Sequence, residues 1–103
     1  FFDLVGRGKF SEDFSAQDQI RKSALSISSY IAEGFSYNNQ RDFASNLRHA
    51  KAASAQLQNQ IILYHRIGYV EDDNFEQIDS SIENLQAKLQ ATISFLLDPK
   101  KQN

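Results

Sequence analysis

The chain of 103 residues contains no cysteine, so disulfides, thiolate metal sites and thiol catalysis are all excluded. A reducing compartment is permitted, and a cytoplasmic location is the expectation. Methionine and tryptophan are also absent, which removes any Met- or Trp-based cofactor box. Proline occurs once, at Pro99, and glycine only at positions 6, 8, 34 and 68. No stretch approaches the run of about 18 apolar residues that a membrane span needs, and no secretory leader pattern is present. Because the sequence begins at Phe1 without a methionine, it is expected to be a processed, tagged or partial form of a longer polypeptide, with further helical sequence before Phe1.

What is present is ordinary for a globular protein: 41% hydrophobic and 23% charged residues, enough for a single domain over residues 1–103. The net charge of −2 argues against the strongly basic balance of a typical nucleic-acid binder. Charge is nonetheless unevenly spread. Between Gln19 and Arg66 stand six bases (Arg21, Lys22, Arg41, Arg48, Lys51, Arg66) against two acids (Glu33, Asp42), whereas Glu71 to Glu83 holds six acids and no base. These stretches read either as solvated helix faces or as interaction surfaces.

Three segments carry the helical period and none alternates like a strand. Ile20, Ala24, Ile27 and Ile31 share one face of the first, which is expected to start at a capping-box-like Ser15 to Asp18 and to end at a left-handed Gly34. In the second, Phe43, Leu47, Ala50, Ser54, Leu57, Ile61, Tyr64 and Gly68 form an unbroken four-three seam, with Asn39 and Gly68 as caps and small residues at Ala50 to Ala55. Phe75, Ile78, Ile82, Leu85, Leu89, Thr92 and Leu96 repeat the pattern in the third, after a capping signal at Asp73 and Glu76 and before Pro99. Short connections at 35–38 and 69–72 make neighbours antiparallel. With "FFDLV" as a short further helix, the expectation is an all-α, antiparallel up-and-down four-helix bundle whose first helix is truncated, with helices at about 1–6, 16–33, 40–67 and 73–97.

The search for chemistry is short. His49 and His65 lie 16 positions apart on one helix, about 160° apart after whole turns, so they cannot share an ion within one subunit. No Glu-x-x-His, nucleophile elbow, Ser-x-x-Lys or phosphate-binding glycine loop occurs. No enzyme, metal or cofactor is expected. Tyr30, Tyr37, Tyr64 and Tyr69 read as packing residues or as stacking platforms. Antiparallel pairing through the first connection is expected to set Ala24 near Ala50, gathering Arg21, Lys22, Arg48 and Lys51 into one phosphate-contacting patch. Glu33, an acid at the unfavourable negative end of its helix, is expected to act with Gly34 as a latch across from Arg41 and the start of the next helix.

The stretch "DQIRKSALSISSYIAEGFS" resembles the bacterial four-helix-bundle proteins encoded in intervening sequences of 23S rRNA genes, often labelled as ribosomal proteins. Gln19, Ile20, Arg21, Lys22, Ser23, Ala24, Ser26, Ile27, Ile31, Ala32, Glu33 and Gly34 meet that family's first motif. A second is met by Phe43, Leu47, Ala50, Lys51, Ser54, Leu57, Gln60, Ile61, Gly68, Tyr69 and Val70. Tyr30, Ser28, Ala53 and Gln56 depart from the usual Asn, Pro, Gly and Glu. The resemblance covers about residues 10–97 and implies a homo-oligomer, in several members a ring-like pentamer. It also implies a relation to the accessory variability determinant of diversity-generating retroelements, a basic pentamer that binds nucleic acid and a reverse transcriptase. The resulting expectation is a non-enzymatic, oligomeric scaffold or accessory protein associated with RNA through Arg21, Lys22, Arg41, Arg48, Lys51 and Arg66. The alternative is a protein–protein interaction module with no nucleic-acid role, its acidic stretch facing a basic partner.

Overall fold

The computed structural model describes Phe10 and residues 12–101. Three long helices, α1 (Phe14–Phe35), α2 (Gln40–Arg66) and α3 (Asp72–Leu97), are followed by a 3-10 turn at Pro99–Lys101. Among the described residues the fold is therefore an all-α, three-helix arrangement, which corrects the expected four-helix bundle. The helix expected at about 1–6 lies outside the described residues. The three segments that carry the helical period form helices of 22, 27 and 26 residues, well beyond the roughly 12–15 at which a helix becomes stable on its own.

The central helix is α2. It packs along both α1 and α3, while those two scarcely touch each other, giving a body of 52 × 22 × 17 Å. The four-three seam explains this: Leu47, Ala50, Ser54, Leu57, Ile61 and Tyr64 are all buried, with Phe43 half-buried at its start. Small Ala50, Ala53 and Ser54 let both neighbours approach. In α3 the seam runs through Ile82, Leu89, Ile93 and Leu96, so Ile93 takes the place expected of Thr92. A straight helix has 3.6 rather than 3.5 residues per turn, and the apolar face has drifted by one position. Thr92 is exposed and returns its hydroxyl to the Lys88 carbonyl at 2.9 Å.

Helix ends follow the sequence in two places and depart from it in three. Asn39 caps α2 as expected, accepting from the Asp42 amide at 2.8 Å. The end of α2 is a Schellman turn: Gly68 takes φ +85°, its amide donates to the His65 carbonyl, and the Tyr69 amide donates to the Tyr64 carbonyl at 2.8 Å. By contrast, α1 starts two residues early, because Asp13 and not Ser15 accepts an amide, that of Ala16 at 3.0 Å. Glu71, not Asp73, precedes α3, and it makes no side-chain capping bond. Gly34 lies inside α1 in ordinary helical conformation, so it does not supply a left-handed end. Its role is close approach: a Cβ there would stand 2.9 Å from Phe43 Cδ1 and 3.3 Å from Asn46 Cβ.

At the opposite end Phe10 is fully buried and closes the core. Its ring meets Tyr64 and Tyr69 edge-on at 5.5 and 6.1 Å between centroids, and the two tyrosines stack on each other at 5.8 Å. Gln17 donates to the Phe10 carbonyl at 2.7 Å. Tyr64 donates to Gln19 at 2.7 Å and Tyr69 to Asp13 at 2.9 Å. This clasp ties the entry of α1 to the exit of α2.

Candidate nucleic-acid interface

The six basic residues do not form one patch. Pairing of α1 with α2 is set by Ser23 donating to Gln60 at 2.9 Å, by the Gln19–Tyr64 bond, and by Tyr30 lying 5.3 Å from His49. Arg48 is thus level with the residue after Tyr30, and Arg21 with the second residue after Gln60. The offset between Arg21 and Arg48 is about ten to fourteen residues, or about 15–21 Å along the axis. The expected neighbours Ala24 and Ala50 are displaced for the same reason. Short connections fix the direction of packing but leave its register to side-chain fit.

Two of the six lysines and arginines have protein partners. Lys22 pairs with Asp18 one turn earlier at 3.0 Å, on an exposed face. Lys51 leans away from α1 to reach Gln90 of α3 at 2.8 Å. Arg21 is half-buried on α1.

Arg41, Arg48 and Arg66 behave differently. They are separated by seven and eighteen positions, which are rotations of about 700° and about 1800°, so the three stand within about 20° of one line on α2. All three are exposed, and none makes an ion pair among the described residues. Ser45, Ala52, Ala55 and Asn59 lie beside them, exposed and uncharged. The result is a cationic ridge roughly 38 Å long without an acid on its line. The Tyr30–His49 ring pair flanks its middle.

Glu33 does not act as the expected latch. It is exposed and accepts from the Tyr37 hydroxyl at 3.3 Å, four residues on, and makes no ion pair with Arg41 among the described residues. The join between α1 and α2 at this end is made instead by buried Gly34 against Phe43, whose ring lies 4.9 Å from that of Phe35.

The histidines point apart as the helical arithmetic requires, His49 to Tyr30 of α1 and His65 to α3, where it stacks on Phe75 at 4.1 Å and bonds Asp72 at 2.7 Å. Among the described residues no group of three His, Asp or Glu side chains could hold a metal ion, and no helix is long and apolar enough to cross a membrane. An apolar groove of about 310 Å³ opens between α1 and α3, with Leu25 and Ile27 on one wall, Ile82 and Leu85 on the other and Leu57 as its floor. The perturbed titrations lie in the clasp. The Ala16 amide and then the Tyr69 hydroxyl hold the Asp13 carboxyl below its usual range. The bond to Asp13 pushes Tyr69 up, and burial does the same for Tyr64.

Residues 2–91 match the profile of the 23S rRNA-intervening sequence protein family. The chain belongs to that family. A crystal structure of a protein of unknown function from the S23 ribosomal protein family of Bacteroides thetaiotaomicron has the same fold, with a TM-score of 0.79 over 89% of this chain and 83% of the other at 21% identity. No curated protein matches the chain. Membership in the 23S rRNA-intervening sequence family thus rests on nearly the whole of the three-helix body, including both motifs read in the sequence. Neither match bears on a link to diversity-generating retroelements.

Proposed function

We propose that this member of the family is a non-enzymatic helical scaffold that holds RNA by its sugar–phosphate backbone along the outer ridge of α2. The carrying observation is the line of Arg41, Arg48 and Arg66, exposed and without ion pairs among the described residues. Guanidinium groups form bidentate bonds to phosphate oxygens, and phosphate contacts position a strand without reading its sequence. The family's name, which refers to 23S rRNA, supports the choice of nucleic acid. Lys22 and Lys51, already engaged, play a smaller part.

The test is a fluorescence titration of labelled single-stranded RNA across a range of salt. Three phosphate contacts on a single strand correspond to a slope of about −2 in log affinity against log salt. Replacing Arg41, Arg48 and Arg66 together with Gln removes most of that slope, whereas Lys51→Gln leaves it nearly intact. Absence of salt-sensitive affinity in the unaltered protein refutes the reading and leaves the protein-interaction alternative, for which the uninterrupted acids of α3 speak.

A further inference from the structure

The tyrosines and histidines are satisfied unevenly. The Tyr37, Tyr64 and Tyr69 hydroxyls donate to Glu33, Gln19 and Asp13, and His65 bonds Asp72. Tyr30 and His49 have only each other. Their rings lie 5.3 Å apart, inclined by 31°, and neither side chain makes a hydrogen bond or ion pair among the described residues. Tyr30 is half-buried and His49 exposed, so the imidazole is the more open layer of the stack. Polar rings at the surface with no polar partner are costly to explain as packing alone, since the other three tyrosines and the other histidine all find one.

What surrounds the pair is also specific. Arg48 immediately precedes His49 and stands about 100° from it around α2. Within a turn along the axis, the surface between them is Ser45 and Ala52, both exposed and short. No long side chain therefore separates the free guanidinium from the open imidazole. On the α1 side, Tyr30 edges a shallow hollow of about 460 Å³ whose other walls are Lys22, Leu25, Ser26, Ser29 and Glu33. Charge is opposed across this strip: Arg48 without a partner on one side, the Glu33 carboxylate on the other, and Lys22 held by Asp18. A nucleotide crossing the strip is drawn by its phosphate to Arg48 and repelled from Glu33, which leaves its base over the rings.

We infer that Tyr30 and His49 form a nucleobase-stacking subsite, and that the RNA taken by the ridge is single-stranded, with one unpaired base on the imidazole while its phosphate engages Arg48. The inference rests on the proposed hold of RNA by α2 and adds to it a choice of strand. Bases in a duplex are already stacked and paired, whereas unpaired bases splay out onto aromatic rings. Duplex RNA thus meets the arginines alone. Every base has a π-face, so the subsite discriminates strandedness without reading sequence.

Fluorescence titration of the full chain with labelled oligouridylate and with a blunt RNA duplex, each across a range of salt, tests the subsite separately from the phosphate hold. His49→Ala is expected to weaken oligouridylate binding by about fivefold or more, to keep the salt slope at about −2, and to leave duplex affinity unchanged. His49→Tyr restores the affinity, because it returns a stacking face without an imidazole. His49 is exposed, so the helical circular-dichroism signal is the same in all three proteins. A loss of the same size on the duplex, no loss on the single strand, or a His49→Tyr variant as weak as His49→Ala overturns the stacking subsite, while a retained salt slope keeps the phosphate hold. Absence of salt-sensitive affinity for either RNA overturns both.

Discussion

Replacing Gly34 with alanine sets two known effects against each other. Away from tertiary contacts the change stabilises a helix interior by about 0.5–1 kcal/mol. Here the new methyl would lie 2.9 Å from Phe43 Cδ1 and 3.3 Å from both Phe43 Cε1 and Asn46 Cβ. Ordinary contact requires the ring to retreat by most of an ångström, and it is backed by Phe35 at 4.9 Å. The Asn46 Cβ moves only with the α2 backbone. Overpacking of this kind costs about 1–3 kcal/mol, so the net effect is a loss of about 1 kcal/mol, or about 4–8 °C in Tm for a domain of this size. Thermal unfolding followed by circular dichroism measures it. Repeating the change in a Phe43→Leu background isolates the contact: with the ring removed, Gly34→Ala costs little or stabilises, and the difference between the two backgrounds is the coupling. If Gly34→Ala raises the Tm of the otherwise unaltered protein, or the coupling is nil, the glycine is not there for close approach.

Two further outcomes concern the clasp. Phe10→Ala empties a fully buried aromatic site and costs about 3–5 kcal/mol, lowering the denaturation midpoint without changing helix content in the folded baseline. An unchanged midpoint means that Phe10 is not part of the core. Because the folded Asp13 carboxyl is held below 3.8, its contribution is fully present above that value and is lost as pH falls through the lower folded one. Tyr69 and Tyr64, pushed above 10.0, contribute stability that is lost as pH rises beyond that value. Tyr69→Phe therefore flattens both limbs of the stability–pH curve, and a curve identical to that of the unaltered protein refutes the Asp13–Tyr69 link.

Periodicity revealed the long helices because burial on α2 is nearly continuous, and the family could be read from Asp18–Ser36 and Phe43–Val70. Left-handed Gly68 was legible because a seam ended there. Gly34 misled for an instructive reason: the same residue serves a turn or a close approach, and only the position of Phe43 across the interface distinguishes them. Phe10 carries no periodic signal, being a single side chain ahead of a helix, yet it is as buried as any residue in the core. The basic patch failed on register. A slip of about five to nine residues between α1 and α2 leaves the apolar faces packed but separates Arg21 from Arg48, whereas the line of Arg41, Arg48 and Arg66 lies within one helix and was available from counting alone.

The near absence of contact between α1 and α3 bears on how the chain reaches this shape. The molecule is two helical hairpins that share a middle strut, each closed by a short connection at 36–39 or 67–71. Almost every contact joins segments adjacent in sequence, and such topologies fold quickly, in microseconds to milliseconds for small helical domains. Either hairpin can assemble before the other, so the order of events is set by their relative strength and not by the topology. The α1–α2 hairpin holds Phe10, the clasp and the Gly34 contact, while the α2–α3 seam carries its side-chain hydrogen bonds near the surface. Amide exchange on α3 is accordingly expected to outpace that on α1, as the outer strut opens while the clasped hairpin stays shut.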